Sequence, residues 1–233
     1  DSGTPLPTPL QKRSLDQILK AGWYLLELIN EILDLALIES GKVMLSSEPV
    51  SLVEVMLECR AMIEPQAQKR GISMTFPRLD TAWFVNADRT RVKQVLINLL
   101  FNAIKYNKAG GSVLVSCVVN TPGRIRIGVE DTGEGLSPAD IAQLFQPFNR
   151  LGQESGPVEG TGIGLVISLR LAELMGGTLH ARSSVGMGST FTLELPRAAV
   201  APAPHLAGDD DHVEPAAYRR RVIHYVEDNE TNA

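Results

Sequence analysis

The sequence predicts an α+β protein: a two-layer sandwich with one mixed sheet and helices on one face, preceded by one long helix. Three observations carry this. Apolar residues recur at helical spacing over 11–40, and again over 51–70, 88–107 and 162–175. Between those stretches lie short alternating segments bounded by Gly, Pro, Asn and Asp, the pattern of half-buried strands. Helices and strands come in runs, including a hairpin pattern, rather than in regular βαβ alternation. At 233 residues, with 44% hydrophobic and 21% charged side chains, the chain can bury a core of ordinary size.

In order, Pro5, Pro7 and Pro9 keep the first dozen residues out of a helix interior. From Gln11, Leu15, Ile18, Leu25, Ile29, Ile32 and Leu35 trace an apolar seam up to Gly41, a natural stop. No helix of matching length follows, so the seam is expected to pair with a second copy, a homodimer through 11–40, or with a helix outside this chain. Residues 43–50 read as a short strand, and Ser51 as the cap of a helix to Arg70. Two strands, 72–76 and 83–86, flank a polar turn, and Asp88 opens a helix to Asn107 with Val92, Val95, Leu96, Leu99 and Leu100 inward. Strands 112–120 and 124–131 flank Asn120-Thr-Pro-Gly123, a hairpin turn. A short helix over 138–144 leads into 146–160, a polar stretch that reads as a mobile loop. The helix 162–175 ends at Gly176-Gly177, and strands 178–183 and 189–195 close the sheet. The Ala/Pro/acid-rich segment 198–217 reads as a linker, and 221–229 as an apolar strand ending in Glu227-Asp228.

Composition narrows the function. A net charge of −5 without a basic stripe argues against a nucleic-acid partner. No apolar run approaches the roughly 18 to 20 residues of a membrane span, and no signal peptide is visible. The chain starts Asp1-Ser-Gly-Thr-Pro without a Met and is expected to be a piece of something longer. Cys59 and Cys117 lack metal or disulfide spacing and read as small core residues, which fits a reducing, cytoplasmic compartment.

Three motifs carry chemistry. In Val129-Glu-Asp131-Thr-Gly133-Glu-Gly135 a strand stops at a carboxylate and turns through two glycines. Such an Asp can accept a hydrogen bond from an exocyclic amine, and the glycines permit positive φ and close approach of a ligand. An isolated motif of this kind is also an ordinary turn. In Asn98-Leu-Leu-Phe-Asn102-Ala-Ile-Lys105-Tyr106, the two carboxamides and the ammonium are spaced i, i+4 and i+7 and share one helix face. A carboxamide oxygen can ligate Mg²⁺ and a Lys can meet a phosphate, although a solvated polar stripe has the same spacing. Gly160-Thr161-Gly162-Ile-Gly164-Leu165 is a glycine loop opening a helix, suited to polyphosphate and also common as a plain cap.

These motifs, in this order between residues 98 and 164, resemble the ATP-binding catalytic domain of sensor histidine kinases, of the Bergerat (GHKL) fold shared with type II topoisomerases and Hsp90 chaperones. The N, G1, F and G2 boxes of that family correspond to 98–107, 131–135, 144–148 and 160–164, and the resemblance spans 45–196. It implies ATP and Mg²⁺ as cofactors. Asp131 would accept the adenine amine, and Gly133 and Gly135 would give the nucleotide room. Asn102 would be the main Mg²⁺ ligand, with Asn98 nearby through water or in catalysis. Lys105 would reach phosphate, Tyr106 would lie against the nucleoside, and Gly160, Thr161, Gly162, Gly164 and Leu165 would line the phosphate loop. Arg150 matches an Arg that can approach the γ-phosphate, and 146–159 would be the ATP lid. Phe145 and Phe148 are read either as lid anchors in the core or as contacts to a helical domain.

The flanks are similar to other parts of the family. Residues 25–41 resemble the second helix of the dimerisation and phosphotransfer domain, and 222–229 the first strand of a receiver domain, which makes a hybrid kinase. The implied division is 1–41, partial dimerisation domain; 42–197, catalytic domain; 198–219, linker; 220–233, start of a receiver. The implied partners are a His-bearing dimerisation domain and a receiver domain or response regulator, within a parent protein that can be membrane-anchored. The H box is absent. His180 falls on a strand, His205 and His212 in the linker and His224 in the receiver-like strand, so none suits a phosphoacceptor and the chain is expected not to phosphorylate itself. Two other readings stand beside this one. A different Bergerat ATPase or serine kinase would carry a general-base Glu where this chain has Asn98 and Asn102, and a regulatory module would bind a nucleotide or second messenger without catalysis.

Overall fold

The computed structural model describes residues 8–78, 83–121, 123–151 and 160–198. The predicted linker and receiver strand, and most of the predicted lid, lie outside them. Along the chain run α1 (Pro9–Glu39), β1 (Glu48–Ser51), α2 (Leu52–Lys69), β2 (Ser73–Thr75), β3 (Phe84–Ala87) and α3 (Arg89–Lys105). There follow β4 (Ser112–Thr121), β5 (Arg124–Asp131), α4 (Pro138–Gln143), α5 (Gly164–Leu174), β6 (Thr178–Ser184) and β7 (Gly188–Pro196).

Helix α1 starts two residues before the expected Gln11. Pro9 stands at the first helical position, where its missing N–H costs nothing, and Thr8 and Gln11 cap each other's backbone. Ser51 and Asp88 cap α2 and α3 as expected, each side chain accepting from a backbone N–H of the first turn. Strands β2-β4-β5-β7-β6 form one five-stranded sheet, with β2 parallel to β4 and the other pairs antiparallel.

The expected single sheet is corrected in one respect. β1 and β3 form their own antiparallel ribbon, from Glu48 opposite Ala87 to Ser51 opposite Phe84. Both edges of β7 are already occupied, by β5 and β6. The ribbon therefore bonds to the sheet's chain just past β7, through the Val85–Arg197 bridge and the Ala198 N–H to the Phe84 carbonyl.

One face of the sheet carries the core. Val113, Val115 and Cys117 of β4 point inward while Leu114 and Val118 are exposed, the period-2 alternation of a half-covered sheet. Ile125, Ile127 and Val129 of β5 are fully buried, as are Leu193 and Leu195 of β7. Leu52 and Ile63 of α2, Leu99 of α3 and Leu171 of α5 close over them. Among its described side chains α1 buries Leu35 and Ile38 alone and leaves Leu15, Ile18, Trp23, Leu26, Ile29 and Leu33 exposed, so most of its seam is uncovered by these residues.

Cys59 and Cys117 are core residues, as expected, and burial pushes each thiol up to about 12. Since the thiolate is the reactive form, a disulfide-exchange reagent at pH 8 should label neither cysteine in the native protein and both after denaturation. Rapid labelling of the native protein would contradict this packing.

Candidate functional site

Asp131 is the last residue of β5 and is 5% exposed. Its Oδ1 accepts from the Gly133 N–H at 2.8 Å, closing a tight Asx turn, and from the Ser189 N–H at 3.2 Å. The second donor is available because β7 runs beside β5 and begins next to it. Among the described residues both bonds go to one oxygen, which leaves Oδ2 as the edge the carboxylate can offer to a ligand. Burial, and to a lesser degree the neighbouring Glu130, push the Asp131 carboxyl above the usual aspartate range, and the two N–H donors hold it back.

The turn after Asp131 is pinned on two sides. The Thr132 N–H donates to the Ser112 carbonyl at 3.1 Å, and its hydroxyl meets the Asn107 Oδ1 at 3.2 Å and accepts from the Ser112 N–H at 2.8 Å. On the other side the Ser183 hydroxyl accepts from the Leu136 N–H and donates to the Gly188 carbonyl, both at 2.7 Å. Asn107, Ser183 and Ser189 were not singled out in the sequence. Their only signal there is polar residues at element ends, which is too common to select them.

The glycines of this turn face protein. A Cβ on Gly133 would run into the Tyr106 carbonyl, and one on Gly135, whose φ is 70°, into the Ser184 carbonyl. Their bareness lets the turn sit against the end of α3 and the β6–β7 turn.

On α3, Asn98, Asn102 and Lys105 do share one face, and that face meets the glycine loop. The Asn98 Nδ2 donates to the Ser168 hydroxyl at 2.8 Å, and the Asn102 Nδ2 points to the Asn98 Oδ1 at 3.5 Å. The Lys105 ammonium lies against Gly160, where a Cβ would strike it, and 4.9 Å from the Tyr106 ring centroid. The Arg70 guanidinium donates to the Ile104 and Lys105 carbonyls and holds the end of α3.

Helix α5 begins at Gly164 rather than at the expected Gly162, because Gly162 adopts φ 77° and cannot continue a right-handed helix. Among the described residues no side chain caps its first turn, and such uncapped N–H groups can accommodate an anion. Thr161 accepts from the Ile163 N–H and donates to Glu31 of α1, a contact not foreseen from sequence. Leu165 packs beside the core.

The end of the predicted F box lies under this loop, a Cβ on Gly162 coming within 3.0 Å of the Phe148 and Asn149 backbone. Phe145 packs against the core, whereas Phe148 is 59% exposed with φ 62°. Arg150 stands half-buried between Phe148 and Leu151, in the described first part of the predicted lid. His180 lies exposed on β6.

Residues 87–199 match the family described as histidine kinase-, DNA gyrase B-, and HSP90-like ATPase. The sensor protein GacS of Pseudomonas syringae pv. syringae is 38% identical over 201 residues, covering 82% of this chain and 22% of GacS. The chain thus spans about a fifth of that relative's length. Full-length ShkA, solved in complex with AMPPNP, superposes with a TM-score of 0.72 at 30% identity, over 85% of this chain and 41% of ShkA. The histidine kinase ThkA, solved with the response regulator protein TrrA, gives 0.64 at 26% identity, over 84% of this chain and 54% of ThkA. Motif order, fold and relatives agree: through residues 87–199 the chain belongs to the histidine kinase-, DNA gyrase B- and HSP90-like ATPase family, in the branch of the sensor histidine kinases.

Proposed function

We propose that this chain is the catalytic part of a hybrid sensor histidine kinase, which binds ATP with Mg²⁺ and transfers the γ-phosphoryl group to a histidine on a dimerisation domain. The observation that carries the reading is Asp131, a buried carboxylate with one oxygen clamped by two backbone donors and the other left to accept from the adenine amine. Lys105 stands beside the loop where α5 offers open N–H groups, which together suit a polyphosphate.

The donor set of the α3 face fits Mg²⁺. Among the described residues no group of three His, Cys, Asp or Glu gathers around a metal-sized space. A cation here would be held by the carboxamide oxygen of Asn102, with Asn98 next to it, and by phosphate oxygens, and Mg²⁺ is commonly bound through so few protein ligands. When bound, it offsets charge on the phosphoryl oxygens. Lys105 adds a positive charge beside the phosphates, Arg150 at the lid's edge can approach the γ-phosphoryl group, and Tyr106 flanks the nucleoside. Catalysis of this kind is positioning and charge stabilisation, and the attacking imidazole has to come from another domain.

The division into a partial dimerisation helix (1–41), catalytic domain (42–197), linker (198–219) and receiver start (220–233) is part of the proposal. It is supported by the uncovered seam of α1, which has room for the rest of a helical bundle, and by the sheet closing at Pro196. The partners are then a His-bearing dimerisation domain and a receiver or response regulator.

Two outcomes check the reading. Given γ-labelled ATP and Mg²⁺, the chain should label the parent kinase's dimerisation domain supplied in trans, lose that transfer when its histidine is replaced, and take up no stable label itself. Transfer to the histidine-free domain, or stable label on this chain, would contradict it.

Asp131→Asn should weaken ATP binding about tenfold or more, since an NH₂ would then face the adenine amine and a charged hydrogen bond is lost. The asparagine oxygen can still accept from Gly133 and Ser189, so the melting temperature at pH 7 should hold or rise. The raised carboxyl costs the wild-type fold stability as pH climbs through its folded value. The variant's advantage should therefore shrink on acidification toward 3.8, the ordinary aspartate value. Unchanged ATP affinity by calorimetry would place adenine elsewhere.

A further inference from the structure

Among the described residues two polar side chains are buried, Asp131 and Ser168. Asp131 has a place in the proposed nucleotide site and Ser168 has none. Ser168 lies on the inward face of α5 with Val166, Ile167, Leu171 and Ala172, and is 2% exposed. Packing alone would be served there by another apolar residue. Its hydroxyl instead receives the Nδ2 of Asn98 across the α3–α5 contact at 2.8 Å. The oxygen of that carboxamide faces away from Ser168, toward the Asn102 Nδ2 at 3.5 Å. It also lies against the start of α5, where a Cβ on Gly164 would come within 2.7 Å of it.

Both carboxamides are thus turned in the same sense. Each sends its NH₂ along the chain Asn102 to Asn98 to Ser168, which keeps the Asn102 oxygen out of that chain. The two ends of a carboxamide have nearly the same shape and opposite chemistry: the oxygen can ligate a cation and the NH₂ cannot. A helix face holding two adjacent carboxamides therefore needs a partner that holds them in one sense, and here the Ser168 hydroxyl accepts from Asn98.

We propose that Ser168 is a positioning residue for the cation site: by accepting from Asn98 it orients the Asn98–Asn102 pair so that the Asn102 oxygen is presented to Mg²⁺. This rests on the nucleotide reading above. Ser168 touches neither nucleotide nor cation and acts only through Asn98. Gly164 belongs to the same device, because its missing side chain is what lets the Asn98 carboxamide lie against α5.

The test is calorimetric titration of ATP into wild type, Ser168→Ala, Ser168→Cys and Asn102→Ala, with excess Mg²⁺ and again in EDTA, with a thermal melt of each. Removing a partner that orients a metal ligand costs about 10- to 100-fold in metal affinity. The gain in ATP affinity conferred by Mg²⁺ should fall by about that factor in Ser168→Ala and by at least as much in Asn102→Ala, while the affinity of Ser168→Ala in EDTA stays within about twofold of wild type. A merely structural role would lower both affinities together, and that result, or an undiminished Mg²⁺ gain, overturns the proposal. If the alanine variant fails to fold, Ser168→Cys fills the site with a weak acceptor and must show the same selective loss; a wild-type profile in Cys overturns the proposal. Wild-type protein that binds no ATP overturns the nucleotide reading, and this inference with it, before any variant is compared.

Discussion

The site depends on a carboxylate kept in the interior at the end of a strand. Taking an ionised Asp out of water is costly unless its oxygens are satisfied, and at Asp131 the compensation is local and lopsided. Gly133 and Ser189 both donate to Oδ1. That arrangement requires the turn to tighten at once after β5 and β7 to begin alongside it. Those requirements in turn bring the Tyr106 carbonyl against Gly133 and the Ser184 carbonyl against Gly135. The glycines of the motif thus make the clamp possible, and the clamp leaves one carboxylate oxygen with a defined direction.

A second feature connects that clamp to the rest of the site. Tyr106, whose carbonyl abuts Gly133, follows Lys105, whose ammonium abuts Gly160. One step of chain at the end of α3 therefore spans from the carboxylate turn to the glycine loop. The Arg70 guanidinium on the last α3 carbonyls and the Asn107 side chain on Ser112 fix that step in place. Helix α1 adds a third connection, since Glu31 accepts from Thr161 and Asp34 from Gln94. The glycine loop is in this way in direct contact with α1, the helix proposed above to belong to a dimerisation domain.

Much of this was legible in the sequence because the signals are local. The face shared by Asn98, Asn102 and Lys105 follows from helical spacing alone, and the inward sets of β4, β5 and β7 from period-2 alternation. The parts that were not legible are those set by residues far apart in the chain. Ser189 lies 58 residues from Asp131, Ser168 lies 70 from Asn98, and Thr161 lies 130 from Glu31. A lone serine or glutamate carries no mark of such a partner. The β1–β3 ribbon was folded into the main sheet for a similar reason, since alternation shows that a strand is half-buried and not which edge it joins. The apolar pattern of 162–175 does not show that Gly162 takes φ 77°, which moves the start of α5 two residues on, to Gly164.

The claim on which the account stands is that adenine is read by the free oxygen of Asp131. A crystal structure of this chain with a non-hydrolysable ATP analogue and Mg²⁺ tests it most directly. The exocyclic amine should lie within hydrogen-bond distance of the Asp131 Oδ2, with Oδ1 still bound by Gly133 and Ser189. Adenine seated away from β5, or an Oδ1 released from its two donors to reach it, would contradict the account.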